Sequence, residues 1–166
     1  MSALEGRHVL VAGVREPEGR VLAVALAEAG AAVSVTTRRV ELAEEVAANS
    51  ILNECWTFGR EGRAITLDLG NPAAVAAALD SLEADLAPLD AVVTPLPPAD
   101  AVNVLASAAA ERMSARGAGV VALPGPVDGA EALSAEWGPR GVVVAVAQGD
   151  TDVVAALTEA LASQGF

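Results

Sequence analysis

Six short runs rich in β-branched residues, separated by longer alanine-rich segments, decide what this chain can fold into. The runs are His8–Ala12, Ala32–Thr37, Arg63–Leu69, Leu89–Thr94, Gly119–Leu123 and Val142–Val146. Most are apolar at consecutive rather than alternate positions. A strand apolar on both sides needs cover on both sides, which points to a parallel sheet with helices on each face. The intervening segments supply those helices. Gly19–Ala29 reads as a helix stopped by Gly30, and Val40–Ala48 as a second. Asn71 and Pro72 read as the N-cap and first position of a helix running to about Leu86. Further helices are expected over Ala99–Ala115, Ala130–Trp137 and from Asp150-Thr151-Asp152 to about Ser163. Ser50–Glu61 and Thr94–Asp100 read as irregular. With right-handed crossovers the expectation is an α/β fold. It is a doubly wound parallel sheet of about six strands with helices on both faces, in a single domain spanning 1–166.

Composition narrows the chemistry. The 166 residues are 53% hydrophobic, enough for one core. Acidic residues number 22 against 10 basic ones, giving a formal net charge of −12. Such a surface repels phosphate backbones and anionic lipid, so neither nucleic acid nor membrane is expected as a partner. No apolar run reaches the ~20 residues of a membrane helix. A single cysteine forms no internal disulfide and no cysteine metal site, and suits a reducing compartment. Met1–Arg7 lacks the pattern of a signal peptide, so the expected location is cytoplasmic and the expected metal set is none. The sequence has no tyrosine, and all ten basic residues are arginine, so it has no lysine. A phenolic acid, a Schiff base and a catalytic ammonium are therefore unavailable.

Gly6-Arg7-His8-Val9-Leu10-Val11-Ala12-Gly13, then Gly19-Arg20 and Ala27-Glu28-Ala29-Gly30-Ala31, resembles the opening of short-chain dehydrogenases/reductases. So do Leu67-Asp68-Leu69 with Asn71-Pro72, and Leu86-Ala87-Pro88-Leu89-Asp90-Ala91-Val92-Val93. Glu111-Arg112-Met113 with Gly117-Ala118-Gly119-Val120-Val121, and Leu133–Val142, continue the series in order. The resemblance implies a Rossmann-like domain in abridged form. It also implies a cofactor set of Gly13, Arg15, Gly19, Arg38 and Asp68. Gly13 and Gly19 stand for the first and third glycines of the phosphate loop. Arg15 and Arg38 match a preference for NADP, and Asp68 matches the acid that meets the adenine amino group. The second glycine is replaced by Pro17, which has no N–H to offer a phosphate. Glu16 and Glu18 flank it, and a carboxylate about 6 Å from a phosphate costs on the order of 3 kcal/mol. Cofactor binding is thus expected to be absent, or weak and for NADP(H). Arg38 with Arg39 as a solvated strand end, and Asp68 as a turn cap, remain open alternatives.

The family's Asn-Asn-Ala-Gly after the fourth strand is here Thr94-Pro95-Leu96-Pro97, and its serine after the fifth is replaced by Pro124-Gly125-Pro126. Its Tyr-x-x-x-Lys pair has no counterpart. His8 is expected as a partly exposed strand-start residue far from any ligand, and Cys55 as a structural thiol. Ser107, Ser114 and Ser134 have no histidine partner. No catalytic residue is assigned. The expected function is a non-catalytic structural or regulatory subunit. Family members commonly pair through their fourth and fifth helices, so a homodimer, or a hetero-oligomer with a full-length relative, is expected through Ala99–Ala115. The alternatives are an NADP(H)-binding sensor, or an oxidoreductase rebuilt around Asp100 and Asp128. Ile51–Gly59 reads as an insertion whose Ile51, Leu52, Trp56 and Phe58 either cover their end of the sheet or present a patch to a partner.

Overall fold

The structure is a computed structural model that describes residues 3–12, 18–37, 42–68, 70–94, 100–123, 130–146 and 150–164. The strands are β1 (His8–Val11), β2 (Ala32–Thr37), β3 (Ala64–Thr66), β4 (Ala91–Val93), β5 (Gly119–Leu123) and β6 (Val142–Val146). The α-helices are α1 (Glu18–Glu28), α2 (Leu42–Trp56), α3 (Pro72–Asp85), α4 (Asp100–Ala115), α5 (Ala130–Trp137) and α6 (Asp150–Ser163), with a 3₁₀ turn at Gly138–Arg140. All strand pairs are parallel, in the order β3-β2-β1-β4-β5-β6. This is the expected doubly wound, Rossmann-like sheet.

Side chains leave a strand on alternate sides, so each interior strand feeds two cores. Val9, Val11, Val33, Val35, Val93 and Val120 face one side and pack under α1, α2 and α6. Leu10, Val92, Val121, Leu123 and Val142 face the other, under α3, α4 and α5. Local signals fix the helix ends. α1 stops at Gly30, whose φ of 108° favours glycine. There the Gly30 N–H donates to Ala27 O and the Ala31 N–H to Leu26 O, the paired bonds of a Schellman cap. α3 starts as read, with Asn71 Oδ1 accepting from the Ala74 N–H and Pro72 in the first turn.

Polar ties hold the helices in place. Glu83 of α3 accepts from the Leu89 N–H at 2.9 Å and from Arg116 at 3.0 Å, and it pairs with Arg112 at 3.3 Å. This joins α3 and α4 to the start of β4. On the other face, Arg20 of α1 donates to Glu54 at 2.6 Å and to Ser50 at 2.8 Å, both on α2.

Three expectations need correction. α2 does not end at Ala48 but runs on to Trp56, so most of the segment read as irregular is helix. It stops at Gly59, where φ is 76° and the N–H donates to Trp56 O. β3 and β4 are each three residues, shorter than the runs that suggested them. His8 is not partly exposed; it is buried, at 1% exposure. Its Nδ1 lies 2.8 Å from Ala87 O, so Nδ1 carries the proton, and its Nε2 accepts from the Ser34 hydroxyl at 2.8 Å. Ser34 Oγ in turn accepts from the Arg63 N–H. One neutral ring thus ties together the N-terminal ends of β1 and β2 and the entries to β3 and β4.

Burial lowers the His8 pKa from 6.5, outweighing the Ala87 bond and the Asp90 and Glu83 charges that raise it. A lowered folded pKa gives stability that is present above pH 6.5 and lost as the pH falls through the folded value. His8→Asn is expected to cost roughly 1–3 kcal/mol at pH 7.5 by leaving Ser34 without its acceptor. Urea unfolding should show that gap narrowing as the pH drops from 6.5 towards 5. A gap that widens would contradict a neutral buried ring. Gly62 generates a second prediction, because a Cβ there would overlap the Val33 carbonyl. Gly62→Ala should lower unfolding free energy by roughly 2–4 kcal/mol. Gly138→Ala, which meets nothing within 4 Å, should change it by less than about 0.5 kcal/mol.

Candidate functional site

The order of the strands reverses between β1 and β4, and in open parallel sheets ligands bind outside the strand C-termini at such a point. Val11 pairs with Val93 there, and the Ala12 N–H donates to Val93 O at 2.8 Å. The Thr94 N–H donates to Ala122 O at 3.2 Å. Thr94 is 1% exposed, and its hydroxyl has no hydrogen-bond partner among the described residues. α1 begins beyond β1 with Gly19 buried in its first turn, so its positive end lies on this side of the sheet. β2 ends in Thr37, whose hydroxyl lies 2.9 Å from that of Thr66 on β3.

Of the five residues assigned to a cofactor, the structure describes Gly19 and Asp68. Gly13, Arg15 and Arg38 lie outside the described residues, as do Glu16, Pro17 and Asp128 and the side chains of Glu18 and Asp100. Gly19 is the second residue of α1. Asp68 is exposed beyond the edge strand β3, where its Oδ1 accepts from the Gly70 N–H at 3.1 Å and its carbonyl from the Asn71 N–H. It therefore acts as a turn cap that leads the chain into α3.

Reading the strand C-terminal ends in order gives Ala12, Thr37, Asp68, Thr94, Leu123 and Val146. Asp68 alone among these six carries a charged side chain. His8 sits at the opposite edge of the sheet. Cys55 is 2% exposed, with Sγ donating to Ala23 O at 3.7 Å. Burial pushes its pKa up to about 11, assisted by the Glu54 charge, so the group is a thiol and not a thiolate nucleophile. The Ser114 hydroxyl is spent on the Glu111 carbonyl within α4. Among the described residues no three His, Cys, Asp or Glu side chains converge to hold a metal.

Sequence reasoning missed a groove of about 620 Å3 between α3, α4 and α5. Val104, Ser107 and Glu111 of α4 line one wall, and Trp137 and Arg140 the other. The Arg140 guanidinium lies 5.0 Å above the Trp137 ring, within cation–π range. Trp137 is 5% exposed, and its Nε1 has no partner among the described residues. The signal was present in the spacing of Val104, Ser107, Ala108 and Glu111, which puts all four on one side of a helix. The Ile51–Gly59 segment divides between its two readings. Ile51 and Cys55 are buried, whereas Trp56 is 71% and Phe58 40% exposed. No described helix is long and apolar enough to cross a membrane.

No family profile and no curated protein matches the sequence. Comparison with solved structures is more informative. A short-chain type dehydrogenase/reductase from Mycobacterium marinum superposes with a TM-score of 0.79 at 18% identity, over 100% of this chain and 94% of that one. A metagenomic short-chain oxidoreductase in complex with NADP gives 0.77 at 18% identity, over 95% and 91%. A short-chain alcohol dehydrogenase from Sinorhizobium meliloti 1021 gives 0.73 at 23% identity, over 86% and 71%. By these likenesses the chain carries the fold of the short-chain dehydrogenases/reductases.

Proposed function

We propose that this chain is a non-catalytic protein built on the short-chain dehydrogenase/reductase fold, serving as a structural or regulatory subunit of a homo- or hetero-oligomer. One observation carries the reading: the sequence contains neither tyrosine nor lysine. Hydride transfer to a carbonyl needs a proton donor at the substrate oxygen, and the usual donor of this fold is a tyrosine whose pKa a lysine lowers. The described residues support no substitute. The histidine is locked as a neutral ring at the far edge of the sheet, and the cysteine is a buried thiol. The groove beside α4 supports the subunit role, since it sets apolar side chains and the exposed Arg140 guanidinium next to the helix through which the resemblance implies pairing.

A second reading has a specific observation in its favour. The buried Thr94 hydroxyl and the Gly19 helix start lie on the ligand side of the switch point, as a protein that holds NADP(H) without turning it over would have them.

The full chain is expected to give no turnover of a carbonyl and alcohol panel with NADPH or NADH. Turnover abolished by Asp128→Asn or Asp100→Asn would overturn the non-catalytic reading. Calorimetric titration with NADPH separates the two readings. No heat at 100 µM protein supports the subunit alone. Binding that Asp68→Ala and Arg38→Ala each weaken at least severalfold supports the cofactor-holding module.

A further inference from the structure

α2 is apolar along two opposite lines. Ala48, Ile51 and Cys55 turn inward and are buried in the core under α1 and β2. The opposite line, Leu42, Val46, Asn49, Asn53 and Trp56, steps by four, three, four and three residues, the repeat of a helix-pairing seam. Every one of the five is exposed, with Leu42 at 77%, Val46 at 58% and Trp56 at 71%. The helix spans about 22 Å. We propose that this face is a self-association surface, on which a second copy of this chain lays its own α2 antiparallel across a two-fold axis through Asn49. The inference rests on the subunit reading above and names the surface that serves it.

Three features point to an identical copy as the occupant. First, the seam is its own complement. A two-fold axis at Asn49 sets the Leu42 of each copy against the Trp56 of the other and Val46 beside Asn53. The two Asn49 amides meet on the axis, and an amide carries both the donor and the acceptor that a second amide needs. Second, the size suits a dimer. Leu42, Val46 and Trp56 present roughly 400 Å2 of surface, as much as the largest apolar patch of an ordinary monomer. Counting the two asparagines and both copies, about 1000 Å2 would be covered, the lower bound of a specific interface. Third, the five seam positions carry no charge on a chain of net charge −12. A second copy shares that net charge, and the neutral stripe keeps charged side chains off the seam itself.

Sedimentation equilibrium of the full chain between 5 and 200 µM tests this. The expected mass rises towards twice 16.6 kDa. Added salt should strengthen the association by screening two like-charged bodies, where a contact between opposite charges would weaken. Trp56 should report the contact by fluorescence, with emission shifting to the blue as concentration rises, because Trp137 is buried in either state. Asn49→Asp changes the size of the side chain little and puts two carboxylates on the axis. It should abolish the dimer while leaving thermal unfolding of the monomer unchanged. Asn49→Arg should do the same, and an equimolar mixture of the two variants should recover a dimer. That recovery requires Asn49 to face itself.

A second variant, Ala108→Glu, places a charge in the α3–α4–α5 groove. Loss of the dimer in Ala108→Glu, with retention in Asn49→Asp and in Val46→Glu, would sink the α2 surface and leave the subunit reading standing at α4. A wild-type chain that stays monomeric at 200 µM would overturn the α2 proposal outright. In that case the subunit reading would survive only with a different chain as its partner.

Discussion

Val9 and Val11 leave β1 on one side of the sheet and Leu10 on the other, and none of the three is exposed. That double burial constrains everything around it. A strand with water on neither side must have a sheet neighbour on each edge and a helix layer on each face. β2 and β4 supply the edges, and the reversal of strand order between them follows from placing β1 at the centre. α1, α2 and α6 cover one face, and α3, α4 and α5 the other. The connections between strands are then long enough to be helices, and the alanines that fill them let the layers sit close to the sheet.

The two ends of the sheet are treated differently. At the N-terminal edge the His8 ring finds both its partners within the protein. His8, Ser34, the Arg63 amide and the Ala87 carbonyl form a closed chain, and Asp90 takes the His8 amide. The C-terminal edge, where this architecture binds ligands, ends mainly in small and apolar residues, with the Thr94 hydroxyl left over. Buried hydroxyls without partners are uncommon, and this one lies where a ligand would lie. Among the six residues read off the strand ends there, only Asp68 carries a charged side chain. The fold is that of the short-chain dehydrogenases/reductases, carried by a sequence with neither tyrosine nor lysine.

Much of the architecture was legible because the local signals and the tertiary fold agree. β2, β5, α5 and β6 have the bounds their residue patterns imply, and Asn71-Pro72 opens α3 as its chemistry demands. α2 was misread for a physical reason. Asn49 and Ser50 prefer caps and turns because their side chains compete for backbone hydrogen bonds, so together they look like an ending. The helix continues because Ile51 and Cys55 bury in the core while Arg20 of α1 binds Ser50 and Glu54, tertiary contacts with no local signature. A strand start suggests partial exposure for His8; its burial depends on Ala87, 79 positions away. The groove at Trp137 needed three helices to be placed at once. Asp68 was readable as a cap, and its bond to the Gly70 amide follows from the usual habit of aspartate in turns.

The Arg20 clamp has a consequence for how the chain reaches this structure. A helix with Leu42, Val46 and Trp56 along its outward line has a second, competing way to lie on a sheet, half a turn away, which the asparagines between them only partly disfavour. That is local frustration in the energy landscape. Size breaks part of the degeneracy, because Ala48, Ile51 and Cys55 fit a flat surface that Trp56 would hold off. A charge pair as exposed as Arg20 with Glu54 adds no more than about 1 kcal/mol to stability. Between two competing packings, however, even about 1 kcal/mol means roughly a fivefold bias. Arg20 thus serves less as a weld than as a rotational key, one that forms only when the tryptophan is on the outside.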